Sequence, residues 1–124
     1  MEIVPHGGRI ERWPASGAGR SRACAIGSLV WVVGNATDSG SDFRTQVTQT
    51  LNSLDLSLEA AGSSRSKLLS VQVLLADIGT KPAFEDMWQA WVGPDSSSWP
   101  QRSCVQVGLS PGLFIEITAI ATRG

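Results

Sequence analysis

Apolar positions alternate with polar or small ones in several short stretches and recur every three or four residues in two longer ones. Ser21 to Ile26 and Leu29 to Gly34 are apolar runs separated by Gly27-Ser28, and a two-residue glycine-containing connection between such runs predicts a β-hairpin. A short, weaker strand over Ile10 to Trp13 precedes them and ends at Pro14. After Gly34-Asn35 and a polar loop, Phe43, Val47, Leu51, Leu54, Leu58 and Ala61 fall at helical spacing, with Ser41 or Asp42 as the N-cap and Gly62 as the stop. Leu68 to Ala76 has the aliphatic content of a central strand, with Val71, Val73 and Leu75 on one face and Ser70, Gln72 and Leu74 on the other. Thr80 and Pro82 start a second helix with Phe84, Met87, Trp88 and Trp91 as its apolar stripe. Ser103 to Gly108 and Leu113 to Thr122 are the last strands, joined through Pro111-Gly112.

The expected order is β-β-β-α-β-α-β-β, an α+β fold with a mixed sheet and both helices on one face. Two helices cover one face only, yet Leu74, Phe114 and Ile120 fall on the other, which predicts a homo-oligomer whose open faces pack together with cyclic symmetry.

Composition narrows the class. At 124 residues with 42% hydrophobic and 17% charged residues, the chain reads as one domain over residues 1–124, able to bury roughly two-thirds of its unfolded surface without metal or disulfide staples. Ten basic against eleven acidic residues give a net charge of −1 and no electrostatic footprint for nucleic acid or an anionic membrane. Cys24, Cys104 and His6 are too few for a zinc-type site, and both cysteines read as reduced, small apolar residues. Residues 1–8 lack a signal-peptide pattern and no apolar run is long enough to span a bilayer, so a soluble, cytoplasmic protein is expected.

Two segments carry candidate chemistry. In Pro100-Gln101-Arg102-Ser103-Cys104-Val105-Gln106-Val107, strand alternation puts Arg102, Cys104 and Gln106 on one face and Val105 and Val107 on the other. The valines suit the helix-covered core, so the polar trio is expected on the open face. Arg102 there either forks a ligand carboxylate or forms a structural ion pair. Glu116, in the otherwise apolar run Leu113 to Ile120, is either the partner of an arginine or a proton-transfer group. Cys104 reads as a small hydrophobe rather than a nucleophile, because no histidine is placed as its base. Glu59, Glu85 and Asp86 read as helix-surface residues. No glycine pattern forms a phosphate-binding fingerprint, so nucleotide cofactors have no support.

The hairpin closing at Gly34-Asn35, the helix with Gln46, Leu51 and Leu54 that ends at Ala60-Ala61-Gly62, and Leu75-Ala76-Asp77 resemble the Rid family of reactive intermediate deaminases, or YjgF-like proteins. Phe84, Met87 and Trp91, Pro100-x-Arg102-Ser103-Cys104-Val105-x-Val107 and Ile115-Glu116-Ile117 extend the resemblance, which is nearest the YoaB-like branch. It implies a chorismate-mutase-like fold and a homotrimer with clefts between subunits. It also implies cofactor-free hydrolysis of 2-aminoacrylate-like enamines and imines to 2-keto acids and ammonia, as in 2-iminobutanoate/2-iminopropanoate deaminases. By position, Arg102 would bind the substrate carboxylate, Cys104 would contribute through its backbone, and Glu116 would activate water. The family's tyrosine before the first hairpin strand has no counterpart, since this chain has no Tyr; Gly19-Arg20-Ser21 stands there, and Arg20 or Ser21 is the expected replacement. Asn35 stands near the pocket where family members carry Ser-Gly-Gln. A non-catalytic carboxylate-binding or chaperone-like trimer is the alternative, and a ribonuclease is disfavoured by charge.

Overall fold

The computed structural model describes residues 8–124, so His6 and the start of the chain lie outside it. Six strands, β1 (Glu11–Pro14), β2 (Ser21–Ile26), β3 (Leu29–Asn35), β4 (Leu68–Leu75), β5 (Gln101–Gln106) and β6 (Ile115–Thr122), form one sheet in the order β1-β2-β3-β6-β4-β5. Only the β4–β5 pair is parallel, and α2 (Lys81–Val92) supplies its crossover, while α1 (Phe43–Ala60) connects β3 to β4. The β-β-β-α-β-α-β-β order and the mixed sheet are as the periodicity predicts.

Local chemistry explains the boundaries. Gly27, with φ +58°, makes the β2–β3 turn, and Asp42 caps α1 by accepting a hydrogen bond from Thr45 N at 2.8 Å. Gly62, with φ +84°, ends α1 as the expected C′ residue, and Ser63 N then donates to Leu58 O. Alternate residues of the central strands face the helices: Val30 and Val32, Val71, Val73 and Leu75, and Ile115 and Ile117 are all buried, against Val47, Leu51, Leu54 and Leu58 of α1 and Phe84 and Trp88 of α2.

Strand β1 begins one residue later than expected, at Glu11, and two other strand starts differ from the sequence expectation by two residues. β5 begins at Gln101, two residues early, because parallel pairing with β4 already holds Ser70 opposite Gln101. β6 begins at Ile115 rather than Leu113, because a buried glutamine takes the preceding backbone. Gln46 of α1 accepts from Phe114 N at 2.8 Å and donates to Gly112 O, two bonds that tie the start of α1 to the β5–β6 loop, and it also donates to Ser41 O just ahead of its own helix. That staple fixes where Glu116 emerges.

The uncovered face is half apolar and half polar. Leu29, Trp31, Val33, Leu74, Val105 and Ile120 surround a centre of Ser70, Gln72, Ser103 and Thr118, and a shallow trough of about 540 Å³ runs across it. Trp31 is 40% exposed and Phe114 37%, so large apolar groups are left facing solvent in the single chain.

Candidate active site

The guanidinium of Arg102 lies between β5 and α2. Because α2 makes the crossover from β4 to β5, its inner stripe must cross the start of β5, and Glu85 arrives one residue after buried Phe84. Arg102 Nη1 and Nη2 donate to the two Glu85 carboxylate oxygens at 2.8 and 2.6 Å, a bidentate pair. The same guanidinium carbon lies 5.5 Å from the ring centres of both Phe84 and Trp88. The Arg102 hydrogen bonds hold the Glu85 carboxyl below the usual carboxylate range, against the opposing effect of burial, and Glu85 in turn raises the Arg102 pKa.

This corrects the face expected for β5. Arg102 pairs in register with Val71 and Cys104 with Val73, and both valines belong to the helix-covered core. Arg102 and Cys104 therefore face the helices, while Ser103 and Val105 face the open side. Gln106 also turns to the helix side, where its Oε1 accepts from Ile78 N at 2.9 Å. Alternation defines two faces without saying which is inner, and in this edge strand the stems of Arg and Cys fill the place the valines were expected to take.

Glu116 is on the opposite face. Its neighbours Ile115 and Ile117 are buried in the core, so its own side chain projects from the open side of β6. There it sits directly across from Asn35 of β3, and Asn35 Nδ2 donates to Glu116 Oε1 at 3.0 Å. Within one chain Glu116 is thus the partner of Asn35 and not of Arg102, and β4 separates the two strands that carry the charged pair of candidates.

The remaining candidates divide the same way. Ser21 lines the open-face trough beside Arg22 and Cys24, whereas Arg20 is exposed on the β1–β2 loop and folds its guanidinium against Gly17. Cys24 and Cys104 are free and on opposite faces of the sheet. Burial pushes the Cys104 thiol up, and the nearby Arg102 only partly offsets this, which keeps the sulfur a thiol and disfavours a nucleophilic role. As an edge strand β5 leaves every second backbone N–H outside the ladder, available to a ligand beside Arg102.

Glu85 is the residue that sequence reasoning missed as part of the site. The signal was present: an acid adjacent to a buried aromatic, on the helix that must cross the strand bearing Arg102. Trp99, an aromatic in a Ser- and Pro-rich loop and outside the helical spacing of Trp88 and Trp91, is a pocket candidate by residue type. It is 54% exposed and its indole Nε1 donates to Gly93 O at 2.8 Å, which fixes the ring above a cavity of about 670 Å³ beside Arg102. Among the described residues no group of three or more His, Cys, Asp or Glu is placed to hold a metal ion, and no helix is long and apolar enough to cross a membrane.

A six-stranded mixed sheet with two helices on one face, an arginine on the parallel edge strand and a carboxylate on the open face of β6, beyond β4, define an α+β protein of YjgF type. A family model described as Endoribonuclease L-PSP matches residues 11–123, and the chain belongs to this YjgF/RutC family. RutC family protein YoaB of Escherichia coli (strain K12) is 32% identical over 95 residues, 76% of this chain and 82% of that protein. The 2-iminobutanoate/2-iminopropanoate deaminase of the same strain is 30% identical over 83 residues, covering 66% of this chain and 65% of that protein. The crystal structure of NMB1025, a YjgF-family protein from Neisseria meningitidis, superposes with a TM-score of 0.85 over 94% of this chain and 97% of its own, and at 23% identity it speaks to the fold alone.

Proposed function

We propose that this protein hydrolyses 2-imino acids, and their enamine tautomers, to 2-keto acids and ammonia. The observation that carries the reading is Glu116: a carboxylate on an apolar strand, held at one oxygen by Asn35, with no hydrogen-bond partner for the other oxygen among the described residues. The 30% identity to a protein named 2-iminobutanoate/2-iminopropanoate deaminase supports it. So does Arg102, whose guanidinium is largely withdrawn from water against two aromatic rings and suits recognition of a carboxylate.

The chemistry needs little else. Glu116 takes a proton from water as the water oxygen bonds to the imine carbon, and returns it to the imine nitrogen. In the resulting carbinolamine Glu116 moves the hydroxyl proton to the nitrogen as the C–N bond breaks, so that ammonia leaves and the hydroxyl oxygen becomes the keto oxygen. Arg102 holds the carboxylate so that the reacting carbon is presented in one orientation.

Arg102 and Glu116 lie on opposite faces of one chain, so a site using both is composite. The reading places Arg102 of one subunit against Glu116 of a neighbour in a homotrimer. Exposed Trp31, Phe114 and Val105 on the open face support such an assembly, because they give it an apolar surface to cover. A ribonuclease reading, which the family description invites, has no basic footprint to support it at a net charge of −1.

The test couples an amino-acid oxidase, which generates the imine, to timed keto-acid release. Wild-type protein is expected to accelerate release, and Glu116→Gln to lose roughly 10²-fold or more, the usual scale for general acid–base catalysis. If keto acids bind and stabilise the fold while neither protein changes the rate, the protein is a carboxylate-binding module instead.

A further inference from the structure

The cavity of about 670 Å³ beside Arg102 is larger than a 2-aminoacrylate-like substrate needs, and within the ~300–1,000 Å³ of pockets that enclose far bigger ligands. Arg102 and Glu85 form its polar end, and Val92, Pro94, Trp99 and Pro100 its apolar walls. We propose that this cavity is the side-chain pocket of the site and that the preferred substrates are 2-imino acids with a large apolar side chain, aromatic ones first. The proposal rests on Arg102 as the anchor of the substrate carboxylate.

Three observations lead there. The Trp99 ring is exposed yet fixed in orientation by its bond to Gly93 O, so its face is presented to a ligand without further ordering. The loop that carries it is restrained at both ends, by Gly93 with φ +84° followed by Pro94, and by Pro100 just before β5, so the wall is preformed. The third is the charge at the polar end. Glu85 takes one N–H from each Nη of Arg102, which leaves Nε–H and the second N–H of each Nη for a ligand. A substrate carboxylate therefore meets a guanidinium whose charge is already compensated. A small imino acid has little else to bind with, whereas a benzyl or isobutyl group gains the apolar walls.

The experiment compares two substrates and two products within each protein preparation, so that incomplete folding of a variant cancels. Calorimetric titration with phenylpyruvate and with pyruvate is expected to show about tenfold or more tighter binding of phenylpyruvate, and the imine from phenylalanine is expected to be hydrolysed with a kcat/KM about tenfold or more above that from alanine. In Trp99→Ala both ratios are expected to collapse toward one, while Trp99→Phe keeps most of the preference. Ratios near one in the wild type, or unchanged in Trp99→Ala, overturn the proposed substrate class; if the alanine imine is still accelerated, the deaminase reading stands without it. Preferential, Trp99-dependent binding of phenylpyruvate with neither imine accelerated supports the pocket and overturns the deaminase reading.

Discussion

Arg102→Ala is expected to reduce kcat/KM for imine hydrolysis by roughly 10²-fold or more, because it removes the charge-assisted bonds that would orient the substrate carboxylate. The loss should also appear in binding: a 2-keto acid that raises the melting temperature of the wild type should not raise that of the variant. Arg102→Lys keeps the charge without the planar fork, and should recover only part of the activity. Arg102→Ala also breaks the ion pair with Glu85, and this gives it a pH signature. Glu85 titrates lower in the folded chain than in the unfolded one, so the pair stabilises fully above the ordinary glutamate pKa of about 4.3 and its contribution is lost as pH falls through the depressed folded value. The stability gap between wild type and Arg102→Ala, about 1–2 kcal/mol at pH 7, should therefore narrow below about pH 4. Denaturant titrations at pH 7 and pH 3 measure it. An equal gap at both would show that Arg102 stabilises by packing on Phe84 and Trp88 alone.

Gly34→Ala carries the largest expected effect on stability. Gly34 is buried near the end of β3 where α1 crosses, and a Cβ there would lie 2.6 Å from Leu54 Cγ and 2.8 Å from the Thr50 carbonyl oxygen. Leu54 is fully buried and the carbonyl belongs to the helix backbone, so neither can yield without moving α1. Overpacking of this kind costs about 2–3 kcal/mol, or a fall of about 10 °C in Tm for a domain of this size. The next residue is Asn35, whose side chain holds Glu116, so displacement of β3 should also lower activity in whatever protein remains folded. A melting temperature within a few degrees of wild type would mean that α1 packs less tightly on β3 than the structure indicates.

How much of this was legible in the sequence depends on the range of the interaction. The β2–β3 hairpin, the α1 cap and the Gly62 stop are set by neighbours within a few residues, and periodicity and turn chemistry predicted them, the cap as Ser41 or Asp42, of which the structure uses Asp42. The mixed character of the sheet followed from the element order, while the assignment of its parallel pair to β4 and β5 came from the structure. The inner and outer faces of β5 did not follow from that order either. Alternation separates Arg102 and Cys104 from Val105 and Val107, but only the position of α2 decides which pair is inside, and that position is fixed by Phe84 and Trp88 packing on β4 and β5. The Gln46 staple was invisible for a related reason: its partners, Gly112 O and Phe114 N, are more than sixty residues away. Arg102 and Glu116 were both found by residue type, an arginine at a strand start and an acid in an apolar strand. Their placement on opposite faces was not, and it is what turns the proposed site into one shared between subunits.

That shared site can be tested by complementation. Arg102→Ala and Glu116→Gln chains are made with different tags, co-assembled, and assayed for imine hydrolysis against each variant alone. A site built from Arg102 of one subunit and Glu116 of the next is intact wherever a Glu116→Gln chain offers its arginine to an Arg102→Ala chain, so an equal mixture should recover about a quarter of wild-type activity while each variant alone stays near background. No recovery in verified mixed assemblies would place both groups in the service of a single chain, and would contradict the composite site.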